Sequence, residues 1–111
     1  MQHILTRIKL KPGKTEQTKE FLIGLHKNHQ AEMKAILNES NMVMDCSFID
    51  QTDHGDYIYI FKKLTDIEAL KKNISHSTLP LYEKIRAWGE ECFEGERVDL
   101  EAVAVFENET T

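Results

Sequence analysis

Two histidines on one stretch of chain offer the most direct chemistry. His29 lies among Leu22, Leu25, Met33 and Ile36, and His26 falls at the edge of the same stripe. Positions three and four apart, at about 100° per residue, share one helix face. An imidazolium among aliphatic neighbours is poorly solvated, so burial favours the neutral ring. A neutral imidazole beside a cavity can serve as general base or hydrogen-bond donor toward a small ligand. That makes His29 the candidate catalytic residue and His26 a candidate ligand-binding one. The competing reading is a core histidine satisfied by a nearby hydroxyl or carboxylate. The i, i+3 pair also suits metal ligation, yet His76, Cys92, Asp45 and Glu91 stand at no recognisable ligand spacing, so no metal site is expected.

Arg7 and Asp45 sit inside strand-like segments where apolar residues would be cheaper. Each needs a partner if both sheet faces are covered. They are expected to pair with each other or with Glu101. Alternatively Arg7 clamps an anionic ligand through its planar fork. Tyr57, Tyr59 and Trp88 can stack on a planar ligand, although such residues at strand and helix spacing also serve as core and interface. Cys46 and Cys92 read as inert buried thiols, because neither has a cation beside it in sequence. Glu90 and Glu91 read as a solvated helix face.

The elements that must hold these side chains follow from periodicity. His3–Lys11 alternates as a half-buried strand, and Pro12-Gly13 stops it. Thr15 is expected to cap a single helix of about six turns, from Glu16 to about Leu37. Met42–Asp50 and Tyr57–Phe61 flank the turn-forming Asp53-His54-Gly55-Asp56 and read as an antiparallel hairpin. Thr65 and Glu68 have the spacing of a capping box for a short helix through about Asn73. Ile74–Leu79 reads as a linker. Pro80 suits the first turn of a helix whose apolar stripe is Leu81, Ile85, Trp88 and Cys92, with Gly95 as its stop. Arg97–Glu107 alternates again as a last strand, and Asn108–Thr111 is expected to fray.

This order predicts a single α+β domain over 1–111: a ferredoxin-like βαββαβ fold, with a four-stranded antiparallel sheet and helices on one face. One helix layer covers one sheet face. The third strand offers no polar face, because Tyr57, Tyr59 and Phe61 oppose Ile58 and Ile60. A second copy packed on the open face is the simplest cover, so a homodimer through the sheet is expected. The alternative is a semi-exposed face on which the tyrosine hydroxyls meet water.

Composition narrows the function classes. Of 111 residues, 14 are Lys or Arg and 19 are Asp or Glu, a formal charge of −5 that disfavours a nucleic-acid partner. No apolar run approaches the ~20 residues of a membrane span, and the amino-terminal segment alternates instead of forming a signal core. Two distant cysteines make neither a disulfide scaffold nor a zinc site, and reduced thiols suggest a cytoplasmic setting. There is no nucleophile elbow, phosphate loop or dinucleotide fingerprint, so no cofactor is expected.

Three segments carry a family resemblance. They are Arg7-Ile8-Lys9-Leu10-Lys11-Pro12-Gly13 leading into a long helix, the Asp53-His54-Gly55-Asp56-Tyr57-Ile58-Tyr59 hairpin, and Ser77 with Pro80 before the Trp88 helix. With these the chain resembles the dimeric α+β barrel proteins, in particular the antibiotic-biosynthesis monooxygenase-like group. Small sugar mutarotases are similar in layout, and a set of short uncharacterised bacterial proteins is most similar. Relatives often carry a histidine directly before the proline. Here Leu79 stands there and His76 lies three residues earlier, so a ligand role for His76 is what the resemblance implies. It also implies a small cofactor-independent enzyme of monooxygenase or mutarotase type. The alternatives are a non-catalytic ligand-binding dimer and a structural dimer with a filled core. A cavity of ~300 Å3 or more with converging polar groups separates the first two from the third.

Overall fold

Alternation in the strands decides which side chains meet the helices. The chain was analysed as a computed structural model, which describes residues 1–108 apart from the side chains of Ser75 and Glu96. Strand β1 (Gln2–Leu10) buries Thr6, Ile8 and Leu10, while strand β3 (Gly55–Leu64) buries Ile58 and Leu64. Strands β2 (Met42–Thr52) and β4 (Phe93–Leu100) complete an antiparallel sheet in the order β2-β3-β1-β4. Register sets Arg7 opposite Tyr59 and Val98, and Leu5 opposite Phe61 and Leu100. These residues make the outer face. Thr6, Ile8, Ile58 and Ile60 make the inner one.

The inner face and the helices share the core. Ile8, Leu10, Ile58, Trp88 and Cys92 form one buried cluster, while Ile36, Leu81 and Tyr82 form a second. Met42, Leu64 and Leu70 form a third beneath helix α3 (Ile67–His76). Trp88, on helix α4 (Pro80–Cys92), stacks on Phe21 at 4.7 Å and meets Phe93 edge-on at 4.9 Å. Such pairs add about 0.5–1.5 kcal/mol beyond their buried area.

Several expectations are corrected. The long helix is two, α1 (Thr15–Asn28) and α2 (Gln30–Glu39), because His29 leaves helical geometry at φ −131° and ψ 31°. The hydrogen-bond ladder still passes through it, from His29 N–H to the Leu25 carbonyl and from Met33 N–H to the His29 carbonyl. The Gln30 side-chain amide reaches the His26 carbonyl at 2.9 Å, an insertion of the kind that kinks a helix. Thr15 does not cap α1; its hydroxyl donates to Asp56 across the hairpin. Asp66, not Thr65, caps α3, accepting from the Glu68 N–H at 2.9 Å.

Helix α4 passes straight into β4, so Gly95 is a strand residue with φ +71°. It falls in a register shift between Ile8 and Lys9, a bulge in the β1–β4 pairing; a second shift lies at Val43 in β2. Strand β4 ends at Leu100, and residues 101–108 belong to no strand or helix. The fraying expected for Asn108–Thr111 falls, beyond Asn108, outside the described residues.

Candidate functional site

The inner sheet face carries charges where an apolar residue would be cheaper. Asp45 on β2 lies directly opposite Lys62 on β3, and their charged atoms stand 3.5 Å apart. Their side chains are 24% and 17% exposed, so each needs the other to offset lost hydration. Thr6 on β1 opposes Asp99 on β4 and donates to its carboxylate at 2.7 Å. These four residues, with Tyr82 and Trp88 of α4, line a cavity of about 480 Å3 between the sheet and the helices. Its remaining walls are mostly aliphatic, from Ile4, Ile60, Met33 and Ile74. That volume suits a drug-sized ligand.

Burial pushes the Tyr82 hydroxyl above its ordinary value of 10.0. It therefore stays protonated at neutral pH, and the residue lines the cavity. The Trp88 indole N–H is buried with no acceptor among the described residues. Asp45 offers a carboxylate and Lys62 an ammonium on one apolar floor. Such a pair can take a proton from a ligand oxygen and stabilise the charge left behind.

The candidate residues read from sequence scatter. Trp88 reaches this cavity. His26, exposed on α1, lines a neighbouring hollow that shares Met33 and Asp45 with it. His29 sits at the kink, where Nδ1 meets Glu32 Oε1 at 2.8 Å. Arg7, Tyr57 and Tyr59 belong to the outer face, with the Arg7 guanidinium 5.6 Å above the Tyr57 ring. The expected Arg7–Asp45 pair does not form, because the two residues face opposite sides of the sheet. His76 ends α3 and is exposed. Cys92 is fully buried and Cys46 half-buried, both as free thiols. Among the described residues no three His, Cys, Asp or Glu groups cluster as a metal site. No described helix is long and apolar enough to cross a membrane.

Sequence reasoning marked Asp45 as misplaced but missed Lys62, Tyr82, Thr6 and Asp99. Lys62 could have been found by aligning the hairpin about its Asp53-His54 turn, which sets residues summing to 107 opposite one another, as Asp45 and Lys62 do.

The architecture is shared with solved structures. An L-rhamnose mutarotase from Formosa agariphila superposes with a TM-score of 0.67 at 17% identity, covering 96% of this chain and 100% of that one. A proposed antibiotic biosynthesis monooxygenase from Caulobacter crescentus superposes with a TM-score of 0.60 at 20% identity, covering 94% and 89%. At such identities the likeness establishes the fold alone, a ferredoxin-like one. No curated protein matches the chain. One family model does match, over residues 1–111, and the chain accordingly belongs to DUF6176, a family of unknown function.

Proposed function

We propose that this protein is a small-molecule enzyme of the cofactor-independent kind, working as a homodimer joined through its outer sheet face. The carrying observation is the Asp45–Lys62 pair set opposite one another on the floor of a largely aliphatic cavity of about 480 Å3. The ligand is mainly apolar and bears a hydroxyl. Asp45 takes the hydroxyl proton, while Lys62 and the protonated Tyr82 stabilise the oxyanion left behind. Asp45 replaces His29 as the base in this reading, since His29 is occupied by Glu32. The dimer is supported by an outer face on which Phe48 is 59% and Met44 45% exposed on one border strand, with Val98 and Leu100 exposed on the opposite one.

The chain's single tryptophan lines the cavity, so its fluorescence reports occupancy. Titration with hydroxylated aromatics and with medium-chain aliphatic alcohols should give saturable quenching by one class. Asp45→Asn should keep affinity within a few-fold and slow turnover by about 10²-fold or more. Quenching by neither class overturns the pocket, and wild-type turnover in Asp45→Asn overturns the base. Binding with no turnover of any tested compound favours the non-catalytic alternative. Sedimentation at micromolar concentration should give twice the chain mass.

A further inference from the structure

Five charged residues line the cavity, and four of them have partners. Asp45 faces Lys62, Asp99 accepts from Thr6, and Lys71 stands 4.0 Å from Glu68 on α3. Arg97 is the fifth. It makes no hydrogen bond or ion pair with any described residue, although Asp99 lies two positions further along β4 and lines the same cavity. The bulge near Gly95 is the reason. Leu10 pairs with Phe93 and Lys9 with Glu94, a register that would carry Arg97 on to Thr6. The shift between Ile8 and Lys9 sets Arg97 opposite Ile8 instead and brings Asp99 to Thr6. The carboxylate then takes the threonine hydroxyl, and the exposed guanidinium keeps its planar fork of donors unengaged at the cavity rim.

Ile8, the cross-strand partner of Arg97, packs with Trp88 and Phe93, so Arg97 stands at the tryptophan end of the cavity. The buried Trp88 indole N–H of that end also lacks an acceptor among the described residues. Asp45 and Lys62 belong to the other side, since the sheet order sets β2 three strands from β4, about 14 Å at the usual strand spacing. Three of the five lining charges are positive, a local excess within a chain of net charge −5. We propose that the cavity selects a hydroxy acid with an apolar body. Arg97 grips the ligand carboxylate through its fork, with the Trp88 N–H as a further donor, and the hydroxyl is thereby presented to Asp45 at the far side. This rests on the cavity being the ligand site, as proposed above, and adds the charge and the direction of its ligand. A guanidinium matches a carboxylate bidentately and binds it more strongly than it binds any neutral oxygen. Arg97 moves no proton in this scheme; it determines specificity.

The test compares ω-hydroxydecanoate with its methyl ester, two probes that share body and hydroxyl and differ in charge. Equilibrium dialysis against the full chain at neutral pH gives both dissociation constants. The wild type should bind the acid at least about tenfold more tightly than the ester. Arg97→Gln changes an exposed side chain that holds no described partner, so the fold is kept. It should weaken the acid to the level of the ester and leave the ester unchanged. Lys71→Gln removes another lining cation and should keep the preference, which separates a fork at Arg97 from a general positive field. Equal affinities in the wild type overturn the carboxylate grip and leave the cavity standing as a ligand site. So does a preference that survives Arg97→Gln or disappears in Lys71→Gln. Binding of neither probe by the wild type overturns the grip and the ligand site together.

Discussion

Replacing Trp88 with phenylalanine sets two opposing effects against each other. The smaller ring leaves a void of roughly 40 Å3, which at ~24 cal/mol per Å3 costs about 1 kcal/mol. The apolar atoms no longer withdrawn from water cost about 1 kcal/mol more. Against this, the indole N–H is buried without an acceptor among the described residues, and removing such a donor returns about 1–3 kcal/mol. The stack on Phe21 survives in the variant, since a phenyl ring can occupy the same plane. Trp88→Phe should therefore lie within about 1 kcal/mol of wild type, whereas Trp88→Ala should lose about 3–5 kcal/mol. Urea unfolding followed by far-ultraviolet circular dichroism measures both, because the substitution removes the only tryptophan. A loss above about 2.5 kcal/mol in Trp88→Phe would mean that the N–H is satisfied after all, and the reasoning would fail.

Further outcomes follow from other sites. Asp45→Leu leaves Lys62 unpaired on an apolar floor; with both side chains partly exposed the cost should be about 1–2 kcal/mol, and adding Lys62→Met should recover most of it in urea unfolding. Gly55→Ala should cost about 1–3 kcal/mol, since φ is +129°. Its new Cβ would also stand 2.8 Å from Lys9 Cε, but Lys9→Ala should rescue little, because a lysine tip moves aside and the backbone does not. The Tyr82 hydroxyl has a folded value raised by burial, so its contribution to stability is whole below pH 10.0 and is lost as pH rises through the folded value. Thermal melts across alkaline pH should show wild type falling relative to Tyr82→Phe; parallel curves would contradict the burial effect.

Local signals were clear where pattern and packing agree. Tyr57–Phe61 and the Leu81, Ile85, Trp88, Cys92 stripe need no distant information, because alternation and helical spacing each leave one arrangement that buries the apolar side. The kink at His29 was hidden, since Leu22 to Ile36 keeps its period while a glutamine side chain intrudes on the ladder. The end of β4 was hidden as well. Alternation continues past Leu100, and only the missing neighbour on β1 shows that pairing has stopped. Asp45 announced itself as a charge in a strand, but its partner is fixed by hairpin register and was sought on the wrong sheet face. Tyr82 gave no signal of its own, because its burial depends on Ile36 and Leu81 from separate helices.

Both border strands of the sheet are interrupted, β2 at Val43 and β4 near Gly95. A ladder broken in this way twists locally and offers no long flat template to an incoming chain. Sideways growth into fibrils is thereby discouraged at each margin, although the surface between those margins is unusually greasy. The molecule can tolerate a sticky plane because its rims are poor seeds for polymerisation.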